Sequence, residues 1–358
     1  METKWLDEEK WREAERERAL EKKRVIYISS DLYPKGEFVP ELDARLTVFD
    51  RGFSIGDSAY EYARTYKHKP MQLMEHMNRM FSSLKVMRLN PGVSKEKFVE
   101  LCDELTKRNV ALLEDFEEYN VVWEVTRGQW GWHGRRTPAP EGAARPTVII
   151  KNNLNDQKLC AHYFSSGIHV VTPPGRHVNP QSWDPKIKTY SRLNYVLADF
   201  EARLVDPYAT ALMLDECGNF SEAIGANVWI VLEGVLMTPT DRNILRGQNR
   251  NNVIGFAKKL NIPLEIKDLQ PWHLYNCDEA FLSTTYPGPF QPIGRFNGLL
   301  VGKELPGPIT KRLAEAWSDW AGIDITGWSR LSKEERAAAE KERARLNAER
   351  GALAHIPY

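Results

Sequence analysis

The stretch from Lys188 to Asn227 leaves this chain few folds to choose from. IKTYSRLNYVLADFEA opens with a lysine and carries its apolar residues at helical spacing, and GNFSEAIGANVWIV follows with a glutamate at the mouth of a β-rich segment. The helical period of the first part gives way to a strand period in the second, so an amphipathic helix is followed by a β-strand. An amine at one end and a carboxylate at the other suit a ring cofactor that carries an aldehyde. The amine condenses with the aldehyde, and the carboxylate pairs with a protonated ring nitrogen.

Composition narrows the function classes. With 358 residues and 42% hydrophobic content, the chain reads as a soluble globular protein large enough for two modest domains. Forty-nine basic residues balance forty-nine acidic ones, so no global field draws it to nucleic acid or to an anionic membrane. Cys102, Cys160, Cys217 and Cys277 are scattered and form no CxxC pair, there is no apolar amino-terminal signal, and no apolar run is long enough to span a bilayer. A cytoplasmic protein with reduced thiols is the expectation. No metal site is expected, because Glu75-His76 in MEHMNRM lacks the second histidine of HExxH.

Residues 1–24 alternate charges at helical spacing and read as a solvated helical arm, with Trp5, Trp11 and Leu20 available for docking. Residues 328–358 form a second charged helical tail, opened by a capping box of Ser332 and Glu335. Between them, residues 25–160 make a small α/β domain. Its expected parts are a strand at RVIYISS, two strands flanking the KHK turn, and a helix at MEHMNRMFSSLKVMRL with Met77, Met80, Leu84 and Met87 on its core face. A long helix at SKEKFVELCDELTKRNVALLED and strands at YNVVWEVTRG and PTVIIKNN complete it. The Pro- and Gly-bearing segment LNDQKLCAHYFSSGIHVVTPPGRHVNPQSWDPKIK reads as irregular linker, apart from a strand at GIHVVTP. Residues 161–327 form a larger α/β domain, with a hairpin at Asn297-Gly298 and a closing helix at GPITKRLAEAWSDWAGI.

The run KTYSRLNYVLADFEA, followed by ALMLDECGNFSEAIGANVWIVLEGVLMTPTDRNILRGQNRNNVIGFA, resembles the second half of a class IV aminotransferase, the fold-type IV group of pyridoxal phosphate enzymes. GFSIGDSAYEYAR resembles the first signature of that family, HMNRM its His-x-x-Arg-Leu helix, and DEAFLSTTYPGPFQPIGRFNGLLVG its last signature. The resemblance extends over residues 25–324 or so. It implies a two-domain α/β architecture with pyridoxal 5'-phosphate at the domain interface, the larger domain being the cofactor-binding one, and a homodimer.

By the same resemblance Lys188 is the Schiff-base nucleophile and the acid/base that moves the substrate proton. Arg79 grips the cofactor phosphate, as a guanidinium can with two parallel bonds. Glu222 with Asn227 fits the E-x-x-x-x-N pattern that contacts the ring nitrogen. LRGQNRNNVIGFAKKL resembles the phosphate loop: Gly247 lets the backbone approach, and Gln248 and Asn249 present amides at a helix amino end. Gln-Asn stands there where an apolar residue and a hydroxyl are usual. Thr285, with Thr284 beside it, completes the phosphate cup.

VTRG resembles the D-amino acid and (R)-amine branches, which implies an amine donor of that hand and a keto acid acceptor. The next residues depart from those branches: QWGWHGRR holds two tryptophans and a displaced basic pair where an arginine and a histidine are usual. Trp132 favours an apolar substrate, Arg135 or Arg136 offers a charge for a carboxylate, Tyr60 is placed to line the pocket, and Arg64 adds charge near it. Three alternatives stand beside this reading: an L-branched-chain aminotransferase, an aminodeoxychorismate lyase-like eliminase sharing the Lys-x-x-x-Arg-Leu run of KTYSRL, and a non-catalytic cofactor-binding protein.

Overall fold

The computed structural model describes residues 4–115, 117–129 and 145–353. It divides into two compact units, Met1–Asn155 with Ile187–Arg192, and Asp156–Lys186 with Leu193–Tyr358.

The first unit holds α1 (Lys4–Glu21), β1 (Val25–Ser29), β2 (Glu37–Pro40), α2 (Arg51–Ile55), β3 (Ser58–Tyr66), β4 (Lys69–Pro70), α3 (Leu73–Met87), α4 (Lys95–Asn109), β5 (Glu117–Thr126) and β6 (Thr147–Asp156). Among the described residues these strands form one six-stranded sheet in the order β2-β1-β6-β5-β3-β4. Strand alternation sorts its two faces. Ala59, Ala63, Val121, Trp123, Val125, Val148 and Ile150 join Met77, Met80 and Leu84 of α3 and Phe98, Leu101 and Leu105 of α4 in one buried cluster. The intervening residues of β3, Tyr60, Tyr62 and Arg64, therefore lie on the opposite face, and Tyr60 pairs across the ladder with Glu124. The β3–β4 turn falls at Lys67 and His68, both with positive φ, as a two-residue hairpin requires. The amino-terminal arm docks on this unit: Leu20 packs with Tyr119 and Leu154, and Arg16 pairs with Glu117 at 2.7 Å. Trp11 stays exposed.

The second unit continues with α5 (Gln157–Ser166), β7 (Ile168–Val171), α6 (Leu193–Val205), β8 (Thr210–Leu214), β9 (Phe220–Ala223), β10 (Ala226–Leu232), β11 (Val235–Thr238), α7 (Gln248–Lys259), β12 (Leu264–Ile266), α8 (Pro271–Tyr275), β13 (Glu279–Ser283), β14 (Gln291–Phe296), β15 (Leu299–Leu300), α9 (Pro308–Ala321) and α10 (Lys333–Leu353). Strands β10, β13, β14, β7, β8 and β9 pair in that order, and β9 pairs back to β10, so the sheet closes on itself. Alternate residues of these strands, among them Val170, Leu212, Val228, Ile230, Leu282 and Phe296, converge in one core. α6 buries Tyr195, Ala198 and Ala202 against Val171, Ala211 and Met213.

Two expectations change. The segment read as irregular linker contains a helix, α5, whose Leu159, Cys160 and Ala161 are buried; its apolar stripe is short and is masked in sequence by the Pro-rich residues that follow. The carboxyl-terminal helix, capped by Ser332 and Glu335 as expected, is more than a solvated tail. It sends Arg350 into the unit, where the guanidinium donates to the carbonyls of Gly294 at 2.8 Å and Val301 at 3.1 Å.

Candidate active site

Lys188 sits in the short return Ile187–Arg192, which belongs to the first unit. Its backbone is pinned on both sides: Tyr60 N donates to Lys188 O at 3.1 Å, and Lys188 N donates to Ser83 Oγ at 3.2 Å. The residue is 8% exposed, an unusual burial for a lysine. Nζ stands 4.4 Å from the centroid of the Tyr60 ring, within cation–π reach. Tyr60 stacks on Tyr190 with centroids 3.9 Å apart, and Tyr190 Oη donates to Glu124 Oε1 at 2.9 Å. Burial works to raise the Tyr60 phenol, but the Lys188 ammonium, Arg192 and a hydrogen bond with Lys188 outweigh it and hold the phenol below its ordinary range.

Arg79 lies on α3, one turn beyond His76, and both reach the Glu61 carboxylate on β3. Arg79 Nε and Nη2 donate at 2.5 and 2.8 Å, and His76 Nδ1 stands 2.9 Å away. Burial alone would raise the Glu61 carboxyl, yet the Arg79 charge and the bonds from Arg79 and His76 hold it well below the usual carboxylate range. Burial pushes the His76 imidazole down against the pull of Glu61. The arginine expected to grip phosphate thus carries a matched counter-charge. Arg64 is buried with its guanidinium 4.8 Å from the Tyr66 ring centroid. The arginine of VTRG, Arg127, is bound to Asp57 at 2.7 and 3.1 Å and to the carbonyls of Met87 and Arg88. Trp132, Arg135 and Arg136 lie outside the described residues.

In the second unit a two-residue turn, Ile224-Gly225, joins β9 to β10, with Gly225 at φ +75°. That turn explains the spacing of the E-x-x-x-x-N pattern: Glu222 and Asn227 stand directly opposite in the ladder. Glu222 Oε2 accepts from Asn227 Nδ2 at 3.2 Å and from Leu245 N at 2.9 Å, and Oε1 accepts from Tyr195 Oη at 2.6 Å. His177 Nε2 lies 2.5 Å from the same phenol oxygen. Burial would raise the Glu222 carboxyl; His177, Tyr195 and the Leu245 amide outweigh it and keep the carboxyl below its ordinary range.

Gly247 precedes α7 and supplies no side-chain cap. The first amides of α7, at Gln248 and Asn249, have no carbonyl of their own helix to reach. A Cβ at Gly247 would collide with Asn227 Oδ1, so the loop's bare backbone is required by its neighbour. Asn249 Nδ2 donates to the carbonyl of Thr284 at 2.5 Å, tying the start of α7 to the end of β13. Thr284 turns its hydroxyl to Gly225 O at 2.9 Å, and Thr285 beside it is half-buried.

Glu61, Tyr190, Tyr195 and His177 were not among the residues to which the sequence pointed, and His76 entered there only within HMNRM and as a lone metal-ligand candidate. Tyr195 had one available signal, a polar tip on the otherwise apolar face of α6. His177 had none, since it stands in an irregular proline-rich run.

The family model for amino-transferase class IV matches residues 58–292. A Methanocaldococcus jannaschii protein assigned as a branched-chain-amino-acid aminotransferase is 30% identical over 80% of this chain and 95% of its own length. A D-alanine aminotransferase of Staphylococcus haemolyticus is 26% identical over 81% of this chain and 97% of its own. Among solved structures, the branched-chain amino acid aminotransferase of Escherichia coli superposes with a TM-score of 0.74 at 27% identity, covering 83% of this chain and 94% of that one. The chain belongs to the class IV aminotransferases.

Proposed function

We propose that this chain moves an amino group from an (R)-amine or D-amino acid with an apolar substituent to a keto acid, with Lys188 as the catalytic amine. Pyridoxal phosphate is the cofactor of the family to which it belongs. The observation that carries the reading is the buried Lys188 side chain, its Nζ over the Tyr60 ring.

The residues present fit that cofactor. The uncapped start of α7 at Gly247 offers backbone donors and a helix amino end to a phosphate. The ionised Glu222 carboxylate, aimed by three donors, offers a partner to a protonated ring nitrogen. When bound, the cofactor would supply an aldehyde for an amine and a ring that accepts electrons. Lys188 Nζ would be the nucleophile and, once freed by the donor's own amine, would take the proton from the substrate's amine-bearing carbon and hand it on. Glu222 would keep the ring nitrogen protonated. Asn227, Leu245 N and Tyr195 hold Glu222 in place, and the Tyr60–Tyr190 stack gives the neighbourhood of Nζ an aromatic, apolar wall.

VTRG supports the (R)-amine or D-amino acid preference, and the tryptophans after it, which stand where the usual carboxylate-binding pair is missing, support the apolar substituent. The second reading, an L-branched-chain donor, is favoured by relatives named for branched-chain amino acids. A half-reaction screen separates them: purified protein is mixed with D-amino acids, L-amino acids and both hands of an aryl amine while the cofactor absorption is followed. Faster conversion by (R)-amines or D-amino acids than by L-leucine is expected; the reverse order overturns the substrate preference and leaves the cofactor site standing.

A homodimer goes with this reading. Leu193, Val196, Leu197, Phe200 and Leu204 form a helical stripe along α6 that is exposed in the single chain, with Phe200 61% and Leu204 88% exposed. Such a contiguous apolar strip marks an interface. Among the described residues no helix is long and apolar enough to cross a membrane.

A further inference from the structure

We propose that His177 is a positioning residue that fixes the charge of Glu222 through the phenol of Tyr195. The three groups come from different elements of the second unit: His177 from the segment after β7, Tyr195 from the buried face of α6, and Glu222 from β9. All three are buried.

Donor and acceptor capacities fix the direction of the relay. Tyr195 Oη has one proton, and an ionised carboxylate only accepts, so at 2.6 Å Tyr195 donates to Glu222 Oε1. Its oxygen therefore accepts from His177 Nε2 at 2.5 Å. His177 Nδ1 stands 3.2 Å from the carbonyl of Val178, which also only accepts. In the proposed relay both ring nitrogens of His177 donate, so the ring is the cationic member of the set. Its Nε2 is 3.6 Å from Glu222 Oε1, so a buried ion pair is completed by a phenol lying against both partners. The remaining contacts of the carboxylate, Asn227 Nδ2 and Leu245 N, are uncharged donors that aim it and carry no counter-charge. Among the described residues, His177 and Tyr195 are the titratable side chains in contact with it.

A carboxylate buried without a cation nearby would tend to take up a proton. A protonated Glu222 could no longer serve as the partner of a ring cation. The relay keeps the carboxylate charged while leaving Oε2 to be aimed by Asn227 and Leu245. Its consequence for turnover rests on the transaminase reading; the relay itself does not.

The test uses the full-length protein labelled with 13C at glutamate side-chain carboxyls, with and without pyridoxal phosphate, the Glu222 signal being identified by its loss in Glu222→Gln. In Tyr195→Phe, which keeps the ring and its packing, and in His177→Gln, the acid titration of Glu222 moves to higher pH. The shift in the double variant is smaller than the sum of the two single shifts, because both changes act on one coupled cluster. With cofactor loaded, the pH at which its absorption changes also moves, and kcat falls on the order of tenfold with KM for the amine nearly constant, as expected for one lost charge-assisted bond. Unmoved Glu222 titration in both single variants, or shifts that add in the double variant, would overturn the proposal. A shift in the cofactor-free protein together with failure of the parent to bind pyridoxal phosphate would uphold the relay and sink the transaminase reading.

Discussion

Glu61 holds Arg79 by two bonds, at 2.5 and 2.8 Å, from a position with no solvent exposure. The pair joins β3 to α3 and takes up the charge of the arginine that the family resemblance assigns to phosphate. Removing the acid leaves a nearly buried guanidinium without its partner, a change that costs about 3–5 kcal/mol. Glu61→Gln is therefore expected to lower the urea midpoint sharply at neutral pH.

The same pair gives a pH dependence. The folded Glu61 carboxyl lies below its ordinary value of 4.5, so its contribution is present above that value and is lost as pH falls through the lower folded one. His76, depressed by burial from its ordinary 6.5, adds stability above that pH that declines below it, because the unfolded chain protonates first. Unfolding free energy measured from pH 7 downward should fall in two stages. His76→Phe should flatten the first and Glu61→Gln the second, and a profile unchanged in both would refute the assignment.

Glu222→Gln keeps size and a hydrogen-bonding oxygen but removes the charge. Cofactor should stay bound while the chemical step slows by roughly ten- to a hundredfold, if a charge-assisted bond of about 1.5–3 kcal/mol is expressed in the transition state. Single-turnover kinetics with a reactive amine reads this directly. A variant reacting at the parental rate would remove Glu222 from the ring-nitrogen role.

Much of this was legible in the sequence because the informative features are local. The Ile224-Gly225 turn sets Glu222 against Asn227 at a spacing that can be counted, and Gly247 before α7 reads as a bare helix start. What escaped depends on tertiary pairing. Glu61 looks like one acid in an alternating strand until α3 brings Arg79 and His76 over it. His177 acquires meaning only when α6 sets Tyr195 against it. α5 was lost to the Pro-rich composition of the residues after it, and α10 read as solvated because its charges outnumber the few side chains, Ala339, Leu346 and Arg350, that it buries.

Gly247→Ala puts a methyl against Asn227 Oδ1 and should displace both the loop and the asparagine that aims Glu222. Affinity for pyridoxal phosphate is expected to fall on the order of ten- to a hundredfold, the equivalent of one charge-assisted bond. Equilibrium titration by fluorescence measures it, and parental affinity would exclude α7 as the phosphate site.

Phe200→Glu and Leu204→Glu place charges on the exposed apolar stripe of α6. Sedimentation velocity should show the parent as a dimer and the double variant as a folded monomer. A parent that sediments as a monomer, or a variant that stays dimeric, would take the interface away from α6.

The central claim is that Lys188 is the amine that joins the cofactor. Purified protein loaded with pyridoxal phosphate, reduced with borohydride and digested, should yield a single pyridoxyl-modified peptide carrying the label on Lys188, and Lys188→Ala should yield none. Label on another lysine, or an unlabelled Lys188 in protein that holds its cofactor, would contradict the account.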